Sequence, residues 1–327
     1  MKDYIVRTIK RKKKDMYTYE YRNKENRLVS QKVFTECLKG LYLPPALDNV
    51  KISRNKRDKV LAIGYDTKNR SQYTYNKKFT EKQSKDKFQH MITFGESYKK
   101  ILKQIQQDLY TEADTKNKQV ATILRFVIDC SFRVGNDKYT KENKSYGVTT
   151  LESRHVTTKG PLITVEFIGK KGVKNKCSLR NKRLSKTLRQ KKKTIRKNDR
   201  LFTYRKGKQY YEVRPNDVNS YLKKFGDFTT KNFRTWGANL ELIHQIQKVP
   251  DLSPKDSETK KTKVLNECID KVAFKLHNTR SVCKSNYLDP KVMESFLHNT
   301  QKFLTLFRSC ESKEDYTDKY IKFLKRK

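Results

Sequence analysis

The stretch KLHNTRSVCKSNYLDP, residues 275–290, closes a run of small polar and basic residues on one tyrosine, Tyr287. His277, Asn278 and Arg280 stand about ten residues upstream. A tyrosine so placed can fill a core, stack on a nucleic-acid base or act as a nucleophile. The third role needs help from neighbours. A phenol of pKa about 10 is almost wholly protonated at neutral pH, and nearby cations must favour the phenolate. Covalent attack then divides one hard displacement into two easier ones. Other catalytic devices are missing from the sequence. It has no GxxxxGKS/T loop for a nucleoside triphosphate, no acidic cluster spaced for two metal ions and no HExxH. Chemistry on a nucleic acid is therefore expected to proceed with no cofactor, metal or nucleotide.

The charge names the partner class. Seventy-seven Lys and Arg against 35 Asp and Glu give a net charge of +42. Self-repulsion on that scale opposes a compact state unless a polyanion relieves it, and nucleic acid is the expected polyanion. The plain alternative is a lysine halo that aids solubility or reflects an AT-rich genome. Apolar residues make up only 35%, yet 19 Tyr and 16 Phe can carry a core, and 11 Gly with 7 Pro are too few for a disordered chain. Cys37, Cys130, Cys177, Cys268, Cys283 and Cys310 form no CxxC or Cys/His cluster. Neither a zinc site nor a disulfide framework is expected, and a reducing, intracellular compartment fits. His90, His155, His244 and His298 show no ligand spacing. MKDYIVRTIKRKKKD lacks the apolar core of a signal peptide, and no stretch nears the ~20 apolar residues of a membrane span.

Two kinds of text must position these residues. Residues 1–82 read as a small β-rich domain: MYTYEYRN alternates as a half-buried strand does, and VLAIGYDTKNRSQYTYN reads as strand, turn and strand. Pro44-Pro45 forbids regular structure between them. Residues 83–327 read as a larger, mainly α domain, so the fold class is α+β. A core helix is expected over 116–132, with Val120, Ile123, Leu124, Val127 and Ile128 on one face. Three short strands follow over 147–179. The basic run 175–200, with Leu184, Leu188 and Ile195 as its apolar positions, reads as an amphipathic helix or a solvated loop. NDVNSYLKKFG and TKNFRTWGANLELIHQIQ read as helices, the second capped by Thr229 or Thr230. A further helix presents Val264, Leu265, Cys268, Val272 and Leu276, and the C-terminal segment is helical again.

Four segments, in order, carry a resemblance. They are FRVGNDKYTKENKSYGVTTL (132–151), VEFIGKKG (165–172), KNFRTWGAN (231–239) and the stretch ending at Tyr287. Together they resemble the type IB DNA topoisomerases, in particular the small poxvirus, bacterial and giant-virus branch. The likeness runs from about residue 60 to about residue 290, and GYDTKNRSQYTY looks like that family's DNA-contacting strand. It implies Tyr287 as nucleophile, Arg133 and Arg234 as the arginines on the scissile phosphate, and Lys170 as general acid. The fifth position falls by spacing on Asn278, with His277 as the alternative. His277 stands where the pattern has Gly, and Arg280 where it often has Pro. Gln72, Tyr73 and Tyr75 match DNA contacts of the first domain, and Tyr139, Asn136 and Lys138 are candidates in the second. The chemistry agrees with these roles. Guanidinium forks suit the charge that spreads over phosphate oxygens, preorganised donors supply the largest catalytic term, and a lysine ammonium can protonate a departing sugar hydroxyl.

The resemblance further implies relaxation of supercoiled double-stranded DNA through a 3′-phosphotyrosyl intermediate, by a monomer clamped around the duplex. Location would be intracellular and DNA-associated, in a virion or viral factory of a large DNA virus, with a bacterial source as the alternative. A tyrosine site-specific recombinase is the competing enzyme. That family places His three residues before its second arginine, where this chain has Lys231. A packaging or architectural DNA-binding protein is the reading from another class.

Overall fold

The computed structural model describes residues 1–13, 16–250 and 252–326. The chain is α+β and divides into two compact units, Met1–Gln89 and His90–Lys327. The division falls seven residues beyond the expected boundary at 82, inside one long helix.

Unit 1 is built from β1 (Tyr4–Lys13), β2 (Met16–Asn23), α1 (Gln31–Leu38), β3 (Asp48–Ser53), β4 (Val60–Tyr65) and β5 (Ser71–Tyr75). The strands form one antiparallel sheet in the order β2-β1-β3-β4-β5. Period-two alternation sends Ile5, Val50, Ile52 and Ala62 inward, where they meet Cys37 of α1 with Leu43 and Leu47. The turn around Pro44-Pro45 is irregular as expected. The buried Arg7 satisfies its carbonyls, donating from Nη2 to Pro44 O at 3.0 Å and Leu47 O at 2.9 Å. The α1 turn was not legible as a helix in the sequence. β5 lies at an edge of the sheet, with Ser71, Gln72, Tyr73 and Tyr75 exposed.

The helix α2 (Lys77–Leu109) runs 33 residues and enters unit 2. There follow α3 (Lys116–Cys130), α4 (Asp137–Asn143), single 3₁₀ turns at 148–150 and 153–155, then β6 (Val156–Lys159), β7 (Leu162–Ile168) and β8 (Lys174–Arg180). These three strands pair antiparallel in sequence order. Next come α5 (Lys182–Lys193), a hairpin of β9 (Thr203–Lys206) and β10 (Gln209–Glu212), and α6 (Pro215–Lys223). The chain ends in α7 (Thr230–Gln247), α8 (Glu258–Lys275), α9 (Arg280–Asn286), α10 (Pro290–His298), α11 (Thr300–Phe307) and α12 (Lys313–Lys325). The β9–β10 hairpin had no clear signal in the sequence.

The core of unit 2 is aromatic. Phe94 packs edge-on against Phe228, Phe233 and Trp236, with centroids 5.0–5.9 Å apart, and Trp236 meets Tyr320 at 4.8 Å. Helix α7 therefore has one face locked in the interior. Asn232 Oδ1 accepts from the Thr229 backbone N–H at 2.8 Å and starts that helix where the sequence placed its cap. The basic run 175–200 is only partly helical: 175–180 belongs to β8, 182–193 forms α5, and Ile195 lies past the end of that helix. Leu184 and Leu188 are buried beneath it, and two of its lysines turn inward, Lys191 to Asp114 and Thr203 O, Lys192 to Val156 O.

Candidate active site

Arg133 lies three residues past the end of α3. Ser131 terminates that helix in the left-handed region (φ 55°), and Phe132 is fully buried. The backbone after Arg133 is gripped by the G-V-T-T segment. Val148 N–H donates to Arg133 O at 2.9 Å, and both the N–H and the hydroxyl of Thr149 donate to Val134 O at 2.7 Å. Gly147 lies so close to Gly135 that a Cβ on it would sit 2.4 Å from Gly135 Cα, and Gly135 has φ 102°. Only glycine fits such an approach. The motif fixes the position from which Arg133 projects.

Arg234 comes from the buried face of α7 and is 5% exposed. Its Nη2 donates to Leu276 O at 3.1 Å, while Nε and Nη1 are buried without a hydrogen-bond partner. Leu276 is the C-cap of α8. Beyond it the chain makes a Schellman turn: His277 N–H donates to Phe274 O at 3.0 Å and Asn278 N–H to Ala273 O at 2.9 Å. His277 holds the left-handed position with φ 53°, the place a glycine takes most easily. Its ring stacks on Phe132 at 5.7 Å, and burial, then Arg234 and Arg133, hold its pKa below the ordinary value. Asn278 faces the arginines. Its Oδ1 accepts from Arg133 Nη2 at 2.8 Å, and its Nδ2 donates to Leu276 O at 3.2 Å.

Tyr287 is the C-cap of α9 and is 9% exposed. The Arg234 guanidinium carbon lies 5.2 Å from the centre of its ring. Burial pushes the phenol up, but Arg234 and then Arg133 outweigh it, so its pKa lies below the ordinary 10.0. Neighbouring Cys283, by contrast, is pushed up to about 11 by burial and stays a thiol. The sequence reading missed Asn239, fully buried on α7. Its Nδ2 donates to Tyr287 O at 2.9 Å and its Oδ1 accepts from Asp289 N–H at 2.8 Å. It holds the backbone on both sides of the tyrosine. An Asn inside the apolar half of a helix was the available signal.

Arg133, Arg234, Asn278 and Tyr287 thus converge on the C-terminal end of α8. Lys170 lies at the exposed turn between β7 and β8, and among the described residues it has no hydrogen-bond or ion-pair partner. Its hairpin is fastened to the Arg133 segment. Tyr146 N–H donates to Ile168 O at 2.8 Å, and Phe167 packs edge-on to Phe132 at 4.9 Å. A disulfide joins Cys130, the last residue of α3, to Cys177 of β8. This corrects the expectation of unpaired cysteines: the partners are 47 residues apart and meet only when the hairpin folds against α3.

The DNA-contact candidates fall in two places. In unit 1, Tyr73 and Tyr75 are 52% and 42% exposed and stacked at 6.0 Å, while exposed Gln72 donates to Asp66 Oδ2 at 3.1 Å. In unit 2, Asn136 caps α4 by accepting from Lys138 N–H at 2.8 Å. Lys138 and Tyr139 project from that helix, exposed. Arg200 secures α4 by pairing with Asp137 and donating to Thr149 O at 2.9 Å. No group of three or more metal-ligating side chains occurs among the described residues, and none of their helices is long and apolar enough to cross a membrane.

The family described as the eukaryotic DNA topoisomerase I catalytic core matches residues 76–313. A DNA topoisomerase 1B of Acanthamoeba polyphaga mimivirus is 30% identical over 298 residues, 89% of this chain and 87% of that one. DNA topoisomerase 1B of vaccinia virus (strain Copenhagen) is 24% identical over 265 residues, 79% of this chain and 81% of that one. DNA topoisomerase 1 of Mycosarcoma maydis is 25% identical over 267 residues, 69% of this chain but 26% of that longer one.

Proposed function

The chain belongs to the type IB DNA topoisomerases, on the giant-virus and poxvirus branch, and from that premise we propose that it relaxes supercoiled duplex DNA by transient cleavage of one strand through Tyr287. The observation that carries this reading is Arg234. A buried guanidinium with two nitrogens unpaired is costly unless an anion completes it. A phosphodiester lying between Arg234, Arg133 and the phenol is such an anion.

The phenolic oxygen attacks phosphorus, with its own proton lost to solvent. The P–O5′ bond breaks as the P–O bond to tyrosine forms. Arg133 and Arg234 donate to the nonbridging oxygens, where charge grows in the transition state. Asn278 has a second amide hydrogen beyond the one given to Leu276, and it adds a neutral donor. Lys170 protonates the departing 5′ oxygen, which is a poor leaving group without it. The bond energy stays in the 3′-phosphotyrosyl link, so the free 5′ hydroxyl reseals the strand without ATP. Supercoil strain drives rotation between the two steps. We place the protein on DNA as a monomer clamp, with Gln72, Tyr73 and Tyr75 of unit 1 and Lys138 and Tyr139 of unit 2 as duplex contacts.

The test is relaxation of a supercoiled plasmid with chelator and without ATP, with the covalent adduct trapped by denaturant and its tyrosine mapped. Relaxation with the label on Tyr287, and loss of both in Tyr287→Phe while duplex binding persists, is the expected result. Strand-exchange products would assign a recombinase instead. Lys170→Ala should cleave slowly, by roughly 10²–10⁴-fold, and recover on a 5′-bridging phosphorothiolate, whose leaving group needs no proton.

A further inference from the structure

Arg280 occupies the first position of α9, directly after its N-cap Thr279. Proline is favoured at that position, because its fixed φ suits the first turn and its missing N–H would be unpaired anyway. A cation is disfavoured there, because it faces the positive end of the helix. The guanidinium turns back onto α8. Nε donates to Asp270 Oδ1 at 2.6 Å, and Nη2 donates to Asp270 Oδ2. Bidentate forks of this kind fix orientation as well as distance. The carboxylate also offsets the adverse charge at the α9 start. From that start α9 runs only seven residues to its C-cap, which is Tyr287. Asn239 holds the far end through Tyr287 O. A helix so short transmits any change of tilt at Arg280 to the tyrosine.

We propose that the Arg280–Asp270 pair is a positioning device for the reaction: it sets the angle between α8 and α9, and so the approach of Tyr287 to Arg133 and Arg234. It does by charge what a proline at the same position would do by covalent stiffness. Neither side chain touches the reacting atoms. This inference rests on Tyr287 as the nucleophile.

The experiment measures single-turnover formation of the covalent adduct on supercoiled DNA with enzyme in excess, alongside DNA affinity and unfolding temperature. Arg280→Ala and Asp270→Ala should each slow adduct formation by about tenfold, the scale on which small misplacements of a reacting group act. Affinity should stay within about twofold, since a positioning role acts on the reacting geometry and not on ground-state binding. The double variant should be no slower than either single one. Arg280→Pro, and the reversed pair Arg280→Asp with Asp270→Arg, should restore the rate. A wild-type rate in Arg280→Ala overturns the inference, as does a loss that neither the proline nor the reversed pair repairs, or one lying wholly in affinity. Tyr287→Phe separates the two readings: if it still forms adduct the nucleophile is misassigned, and if it is inert while Arg280→Ala is unimpaired, only the positioning role falls.

Discussion

Arg234 biases Tyr287 toward its charged form, and burial makes that guanidinium costly to leave unpaired. Among the described residues no carboxylate pairs with the guanidinium, and of the acidic groups that act on it the Tyr287 phenol acts most. Because Arg234 and Arg133 hold the phenol below its ordinary value, adduct formation on a 5′-bridging phosphorothiolate, which needs no proton from Lys170, should rise with pH and level off at an apparent pKa under 10. Arg234→Ala removes the stronger of these influences, so the midpoint should move up and the rate fall by about 10²–10³. Arg234→Lys should not restore it, for lack of the planar fork. Single-turnover rates across pH for the three proteins decide this, and an unmoved midpoint would detach the arginine from the tyrosine. The adjacent pair His277 and Asn278 makes a second test. His277 fills a left-handed cap against Phe132, whereas Asn278 bonds Arg133. His277→Gly should therefore keep its cleavage rate, and Asn278→Ala should lose about tenfold, the scale of one hydrogen bond to a charged group. At this scale the motifs singled out Arg133, Arg234 and Tyr287 in the sequence, and the fold places Arg234 against Tyr287. It left 277 and 278 open, because the choice turns on a backbone angle. Asn239 was hidden because its acceptor lies 48 residues along the chain.

Elements legible in the sequence were those whose pattern is local. The apolar stripe of α3, the alternation of β2 and the cap of α7 each follow from neighbours within a few residues. The short α1 and the β9–β10 hairpin were not legible, since α1 spans barely two helical turns and β9 and β10 have four residues each. The disulfide was illegible for another reason: cysteine spacing alone says nothing about which strand will pack on which helix. Its position ties the end of α3, three residues before Arg133, to the strand after Lys170. Closing a loop of that length limits the unfolded chain by about 4 kcal/mol in the chain-entropy picture. A reductant should therefore lower the unfolding temperature of the wild-type protein and leave a Cys130→Ser, Cys177→Ser double variant unchanged. Calorimetry with and without reductant checks it, and equal responses from the two proteins would mean the bond is not populated.

The whole molecule carries its +42 charge across both units, with no compensating acidic face needed if DNA supplies one. Added protons are therefore unwelcome. His277, His155 and His244 are each held below the ordinary value of 6.5, in every case first by burial. His277 has Arg234 and Arg133 facing it; His155 has Arg154 against Glu152; His244 has Lys248, Lys275 and Lys313 against Glu241. The sign follows from linkage. Below about 6.5 the unfolded chain binds protons that the folded one refuses, so stability rises with pH up to that value and is lost as pH falls beneath it. Each histidine that does protonate also adds to the self-repulsion. The unfolding temperature should accordingly fall between about pH 7.5 and pH 5.5, and the fall should be shallower at about 0.5 M salt, where charges beyond a few ångströms are screened. A short DNA duplex should raise the midpoint at both pH values, because it binds the folded state and relieves the charge. His277→Gly should flatten the pH response in part, since it removes one of the three refusing groups. A midpoint that climbs as pH drops would mean these histidines are charged in the fold, and with His277 charged beside two arginines the phosphate site itself would need to be redrawn.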